Sequence, residues 1–190
     1  MKRIKKLAAA MLTAIMMMTM TVTAYAAEQK CTLTVNVKTG EGVPTQTLKD
    51  QTINLYKLFD VTESKSGETT NYAYTVNTEA GYKDALAPVL GGSITSSSKD
   101  EEFASAVLAL GKNNAPEVQN FANKFTEYAL TKGLAATATS GKISGENTTS
   151  YPFNKLAAGY YLVYVTGGKE IQSSLVTVDK DTNAVNLKTE

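Results

Sequence analysis

Asp100-Glu101-Glu102 is the one run of three consecutive acids in the chain, and oxygen donors of that type could gather calcium. The run lacks the alternating ligands and central glycine of an EF-hand loop. It also opens a stretch of helical periodicity, where acids favour the positive end of the helix dipole. A helix start is therefore expected there, and no metal site. Gly91-Gly92 and Gly167-Gly168 lack the spacing and the lysine of a phosphate-binding loop and read as turns. The chain contains no histidine and no tryptophan. Serine–histidine and cysteine–histidine catalysis and the common zinc sites are thereby excluded. No spacing singles out the paired carboxylates of a hydrolase. The expectation is a protein that is not an enzyme and uses no cofactor or metal.

Cys31 is the only cysteine, so no internal disulfide can form. It is expected to act as a small residue near a partly ordered terminus; an intermolecular bond is the alternative. Upstream of it, Lys2, Arg3, Lys5 and Lys6 precede an apolar run over residues 7–20 and then Ala24-Tyr25-Ala26. This is the pattern of a secretory signal peptide over residues 1–26, cleaved after Ala26. The apolar run is short for a retained membrane anchor. Without its four leader cations the chain keeps 15 basic against 18 acidic residues, a net charge of −3. Nothing in that balance attracts nucleic acid or anionic membranes. A secreted or cell-surface location is expected, with residues 27–190 as one domain.

The elements that would position these side chains are mostly strands. Residues 32–38 alternate, with Leu33, Val35 and Val37 on one face. Residues 52–61 form a second strand, residues 63–70 a polar hairpin turn, and residues 71–76 a third strand. The period then changes. Phe103, Val107 and Leu110 recur at helical spacing. Asn114 is a cap candidate ahead of Pro116, and Val118, Phe121, Ala122, Phe125, Tyr128 and Ala129 make one apolar stripe that ends at Gly133. That stripe is expected to pack against a sheet edge. Residues 93–98 and 135–149 are Ser/Thr/Gly/Ala-rich and read as mobile connectors. Residues 160–165 are apolar or aromatic on both faces, which predicts a central strand covered on both sides. Residues 171–178 and 184–188 follow, with a turn over residues 179–183. About seven strands and a helical insertion around residues 100–132 predict a mainly β, immunoglobulin-like sandwich. A small α+β domain with helices on one sheet is the alternative.

Phe153, Leu156, Gly159 and Tyr161 form the pattern F-x-x-L-x-x-G-x-Y. It resembles the corner before a late strand in Cna B-type domains, the immunoglobulin-like modules of Gram-positive surface proteins and pilins. With the leader, INLYKLFDV, FANKFTEYAL and LAAGYYLVYV in order, nearly the whole exported chain resembles the N-terminal domain of a sortase-assembled fimbrial subunit. The resemblance implies an extracellular structural and adhesive role at the cell wall. It implies other pilin subunits or domains and a sortase as partners, with no nucleic acid and no membrane after leader cleavage.

The family also carries internal Lys–Asn isopeptide bonds. That resemblance marks Lys38 and Asn186, with Asn183 just before the latter. The reaction needs a buried neutral lysine and a buried protonated acid. The family's acid position, six residues beyond Gly159, is Val165, and Glu170 lies beyond the glycine pair. Tyr151-Pro152-Phe153-Asn154 resembles the pilin linkage motif but has phenylalanine in place of the nucleophile. Lys188 is the remaining candidate for accepting a neighbouring subunit. The sequence carries no Leu-Pro-x-Thr-Gly signal, so a fragment ending at a domain boundary or a secreted single-domain relative is expected. The alternative function is a secreted sandwich that binds a glycan or host protein through Tyr151, Tyr160, Tyr161 or Tyr164. At strand positions such tyrosines are expected in the core or on the sheet surface.

Overall fold

The computed structural model describes residues 31–38, 41–42, 46–66, 69–111, 116–169, 171–179 and 183–188. The expected leader over residues 1–26 with its expected cleavage site at Ala26, the cap candidate Asn114 and Glu170 lie outside the described residues. In chain order the elements are β1 (Cys31–Asn36), β2 (Thr52–Ser66), β3 (Thr69–Val76), α1 (Tyr82–Leu90), α2 (Asp100–Ala109), α3 (Pro116–Lys132), β4 (Ala138–Lys142), β5 (Ser150–Leu156), β6 (Gly159–Thr166), β7 (Gln172–Val178) and β8 (Asn183–Asn186). The described chain is mainly β, with two sheets and three helices. It divides into two compact units: a helical unit over Leu58–Leu134, and a two-sheet unit from the described parts of Glu28–Lys57 and Ala135–Glu190. β2 passes from the second unit into the first.

In the two-sheet unit, β1 is the centre of a three-stranded sheet, antiparallel to β5 and parallel to β8. In the other sheet β6 lies between β2 and β7, and β4 pairs with β2. The alternation in β1 sends Leu33 and Val35 inward and leaves Thr32, Thr34 and Asn36 half-exposed. Phe153 and Val185 join them from the same sheet; Ile53, Leu55, Tyr161, Val163, Val165 and Val178 come from the other, and all belong to one core cluster. Each such side chain contributes about 1.5–3 kcal/mol on burial. In β6 every residue from Tyr161 to Val165 is buried, as its two apolar faces predict for a central strand.

β5 is an edge of its sheet, and its outer side is blunted by Pro152, which offers no N–H. Its register against β1 slips between Cys31↔Leu156 and Leu33↔Phe153. Lys155 sits in this slip with φ 59, the left-handed geometry of a bulge. The bulge returns both Phe153 and Leu156 to the buried face.

The helical unit holds the second part of β2 paired with β3, and the three helices. α2 packs on β3. The α3 stripe buries Val118, Phe121, Ala122, Phe125 and Ala129, as the periodicity predicts, while Tyr128 is only half-buried. Thr126 completes the buried face, its hydroxyl donating to the Ala122 carbonyl at 2.8 Å. α3 packs against α1, with the Phe125 ring 6.3 Å from both Tyr82 and Phe121.

Three local expectations change. The polar stretch 63–70 is not all turn: β2 runs to Ser66 and β3 begins at Thr69, with Glu63 opposite Tyr72 and Ser66 opposite Thr69. A two-stranded ladder needs no apolar face to pair its backbone, and threonine suits it. Residues 135–149 are not merely a connector, because β4 forms within them. Ser140 Oγ accepts from the Ile53 N–H at 2.9 Å, and Thr137 Oγ1 from the Lys57 N–H at 2.9 Å. Short hydroxyl side chains thus complete a ladder that carries little apolar pattern. Finally, α1 precedes the expected insertion. Tyr82, Ala85 and Leu86 stand at helical spacing and are buried, but Pro88 and Gly91-Gly92 mask the element.

Candidate functional site

The residues marked for covalent chemistry gather where β1 and β8 end. Asn36 pairs with Asn186, and the ladder continues with the Leu187 N–H donating to the Asn36 carbonyl at 2.8 Å. The Asn36 amide Nδ2 donates to Asn186 Oδ1 at 3.3 Å. Lys38 and Asn186 are both exposed. The position expected for the family's acid, Val165, is a buried core residue. The buried setting that amide formation between Lys38 and Asn186 requires is therefore not found at this pair.

Lys188 is exposed, yet its main chain is held. Its N–H donates to Gln172 Oε1 at 2.8 Å, and Gln172 Nε2 donates to its carbonyl at 3.3 Å. One side-chain amide thus imitates a strand partner and joins the start of β7 to Lys188, two residues past β8. At the other end of β8, Asn183 Nδ2 donates to the carbonyls of Asp179 at 3.0 Å and Thr32 at 3.3 Å. Neither fastening was legible in the sequence, because an exposed glutamine or a turn asparagine has no signature of its distant partner.

The F-x-x-L-x-x-G-x-Y residues come together as a corner. Phe153, Leu156, Gly159 and Tyr161 are all buried. The Tyr161 hydroxyl donates to the Ala157 carbonyl at 2.8 Å, tying the start of β6 to the bend before it. Of the tyrosines considered for stacking on a ligand, Tyr161 and Tyr164 are buried, while Tyr151 and Tyr160 are half-buried. Tyr151 is already against Phe153, with ring centroids 5.0 Å apart. Burial pushes the Tyr164 phenol above the usual range; the Tyr56 phenol is raised by burial and then by neighbouring Tyr164.

Cys31 is buried, and burial followed by the charge of Asp179 pushes its thiol up, away from the reactive thiolate. Asp50 has φ 65 and pairs with Lys142 at 2.9 Å. The Lys142 hydrogen bond and charge hold the Asp50 carboxyl below its ordinary value. Backbone bonds from Leu48 N to Thr148 O at 2.7 Å and Asp50 N to Ile143 O at 2.8 Å fix the same loop, and Lys49 pairs with Glu146. These contacts are structural.

In the helical unit the acidic run starts α2, as expected. Glu102 Oε2 accepts from the Lys99 N–H at 2.7 Å, and Asp100 Oδ1 lies 2.8 Å from Lys83 Nζ. The same ammonium donates to the Ser98 carbonyl at 3.2 Å and sits 5.5 Å from the Phe103 ring centroid. Lys83 therefore fastens α1 to the start of α2. An open depression of about 530 Å³ is lined by Gly92, Ser93, Ile94, Glu101, Glu102 and Ser105 among others. Among the described residues, no three His, Cys, Asp or Glu side chains are grouped to hold a metal ion, and no helix is long and apolar enough to cross a membrane. Compared with protein-family models and with curated proteins, the sequence matches none.

Proposed function

We propose that the chain is an exported structural module of a Gram-positive fimbria, built on an immunoglobulin-like sandwich of the Cna B type. The observation that carries this reading is the corner at Tyr161. A fully buried tyrosine at the start of a central strand bonds its hydroxyl to the backbone four residues upstream. A tyrosine in that relation to the chain is a hallmark of immunoglobulin-like sandwiches. It falls on the residues Phe153, Leu156, Gly159 and Tyr161 by which the sequence resembles these modules. Two sheets sharing one apolar core support the same reading. The leader over residues 1–26 delivers the chain outside the cell, with cleavage after Ala26.

In this reading Lys188 receives the neighbouring subunit. Its amine attacks the acyl group that a sortase carries as a thioester; an amide bond forms and the enzyme's thiol leaves. The Gln172 amide holds the Lys188 backbone while the side chain stays in water. Lys38 and Asn186 are left unlinked, so the intact mass of the exported chain should equal its sequence mass with no loss of ammonia.

The experiment is an immunoblot of envelope boiled in detergent, from cells producing the wild-type chain or Lys188→Arg. A ladder of high-mass species is expected for the wild type, collapsing to the single chain in the variant. A wild-type chain found only as free monomer contradicts the proposal.

A further inference from the structure

We infer that Lys38 and Lys188, side by side where β1 and β8 end, form a binding site for a phosphate-type oxyanion, completed by the side-chain amide of Asn186. The inference goes beyond the fimbrial reading and rests on the β1–β8 geometry alone. The two strands are neighbours in parallel register, with Val35 beside Val185 and Asn36 beside Asn186. The Leu187 N–H bond to the Asn36 carbonyl carries that register one residue further. Val37 and Leu187 are both buried. The next residue along each chain comes out on the opposite, outward face, so Lys38 and Lys188 stand there as lateral neighbours, and both are exposed.

Two like charges on adjacent strands repel. Elsewhere in the two-sheet unit lysines are matched with acids, Lys49 with Glu146 and Lys142 with Asp50. Among the described residues no acid is paired with the ammonium of Lys38 or Lys188. The outward face of the sheet beside them is uncharged too: Thr34 is flanked by Pro152 and Ala184, and Asn36 by Ser150 and Asn186. No carboxylate on that face competes for the two cations, and an anion held between them relieves their repulsion. The Asn36 amide Nδ2 donates to Asn186 Oδ1, which leaves the Asn186 amide nitrogen as a donor on the face that carries Lys188. The backbone is fixed before a ligand arrives. Gln172 clasps Lys188, and the Val37 N–H donates to the Thr149 carbonyl at 3.0 Å beside Lys38. Such anchoring lowers the ordering cost of binding. Two ammonium point charges and an amide N–H suit a tetrahedral oxyanion. A planar carboxylate is better met by the arginine fork, and residues 27–190 contain no arginine. Acylation of Lys188 would remove one of the charges, so the unlinked chain is the form that binds.

Nuclear magnetic resonance titration of the exported chain with inorganic phosphate, at neutral pH and constant ionic strength, tests the site. Saturable shifts are expected at the Asn186 side-chain amide and the Lys188 backbone N–H. Lys38→Gln and Lys188→Gln should each weaken the apparent affinity about tenfold, the loss of one charge-assisted contact. Lys142→Gln, which removes a lysine already matched with Asp50, should leave it unchanged. A soluble glycerol phosphate oligomer is the second probe. Tighter binding of the oligomer at the same residues assigns a polyol phosphate chain as the source of the group, and equal or weaker binding assigns the free ion. Shifts that never saturate, or an equal loss in Lys142→Gln, mean an adventitious ion only and overturn the inference. The titration uses neither fimbria nor sortase, so its failure is separate from a failure of the envelope blot.

Discussion

A Cβ at Gly167 would stand 2.5 Å from the Asp50 carbonyl oxygen, and the residue has φ +92. Gly167→Ala should therefore cost about 2 kcal/mol or more, read as a lower urea midpoint at unchanged slope. Gly141, with φ +62 and no atom within 4 Å of such a Cβ, should lose only about 1 kcal/mol on the same change. The turn at Gly167 was legible in its glycine pair. Its constraint was not, because the obstructing backbone belongs to a distant loop. Tyr161 was legible as the end of a spaced pattern, while its hydroxyl bond to Ala157 was not. Tyr161→Phe should cost about 1 kcal/mol by chemical denaturation, since the half-exposed Ala157 can regain water. The two raised phenols predict an alkaline limit. With folded values above 10.0, the unfolded chain gives up these protons first as pH rises. Their contribution is complete below pH 10.0 and is lost as pH climbs through the raised values. Denaturant curves taken across that window should show the fall, and Tyr164→Phe should reduce it.

Elements with a strong apolar period were legible, and those held by polar or local contacts were not. The α3 stripe and the alternation of β1 both fold as their periods predict. β4 escaped notice because Ser140 and Thr137 hydroxyls complete its pairing with β2, and α1 because Pro88 sits inside its last turn. A stripe reports that a face is buried, not what buries it, and α1 supplies part of the cover of α3. Phe125 is the test at this scale. It is fully buried between Tyr82 and Phe121, so Phe125→Ala should destabilise the helical unit by about 3–5 kcal/mol. Leu130 on the same helix is 60% exposed, and Leu130→Gln should stay within about 0.5 kcal/mol. Thermal melts followed by circular dichroism distinguish the two.

The two-sheet, mainly β architecture with a helical insertion follows from runs of alternating residues interrupted by one change of period. Where the insertion begins was read too late, since the helical unit already starts in the middle of β2, where the strand pattern shows no break. The covalent candidates are marked by resemblance alone. Lys38 and Asn186 sit exposed at the end of the β1–β8 ladder, while Lys188 is exposed on a backbone clasped by Gln172. The most direct measurement is peptide mapping by mass spectrometry of detergent-insoluble envelope from producing cells. A branched peptide is expected, in which the Lys188 side chain carries an amide-linked fragment of another subunit. Peptides showing Lys188 always unmodified, with the chain recovered only in the medium, would contradict it.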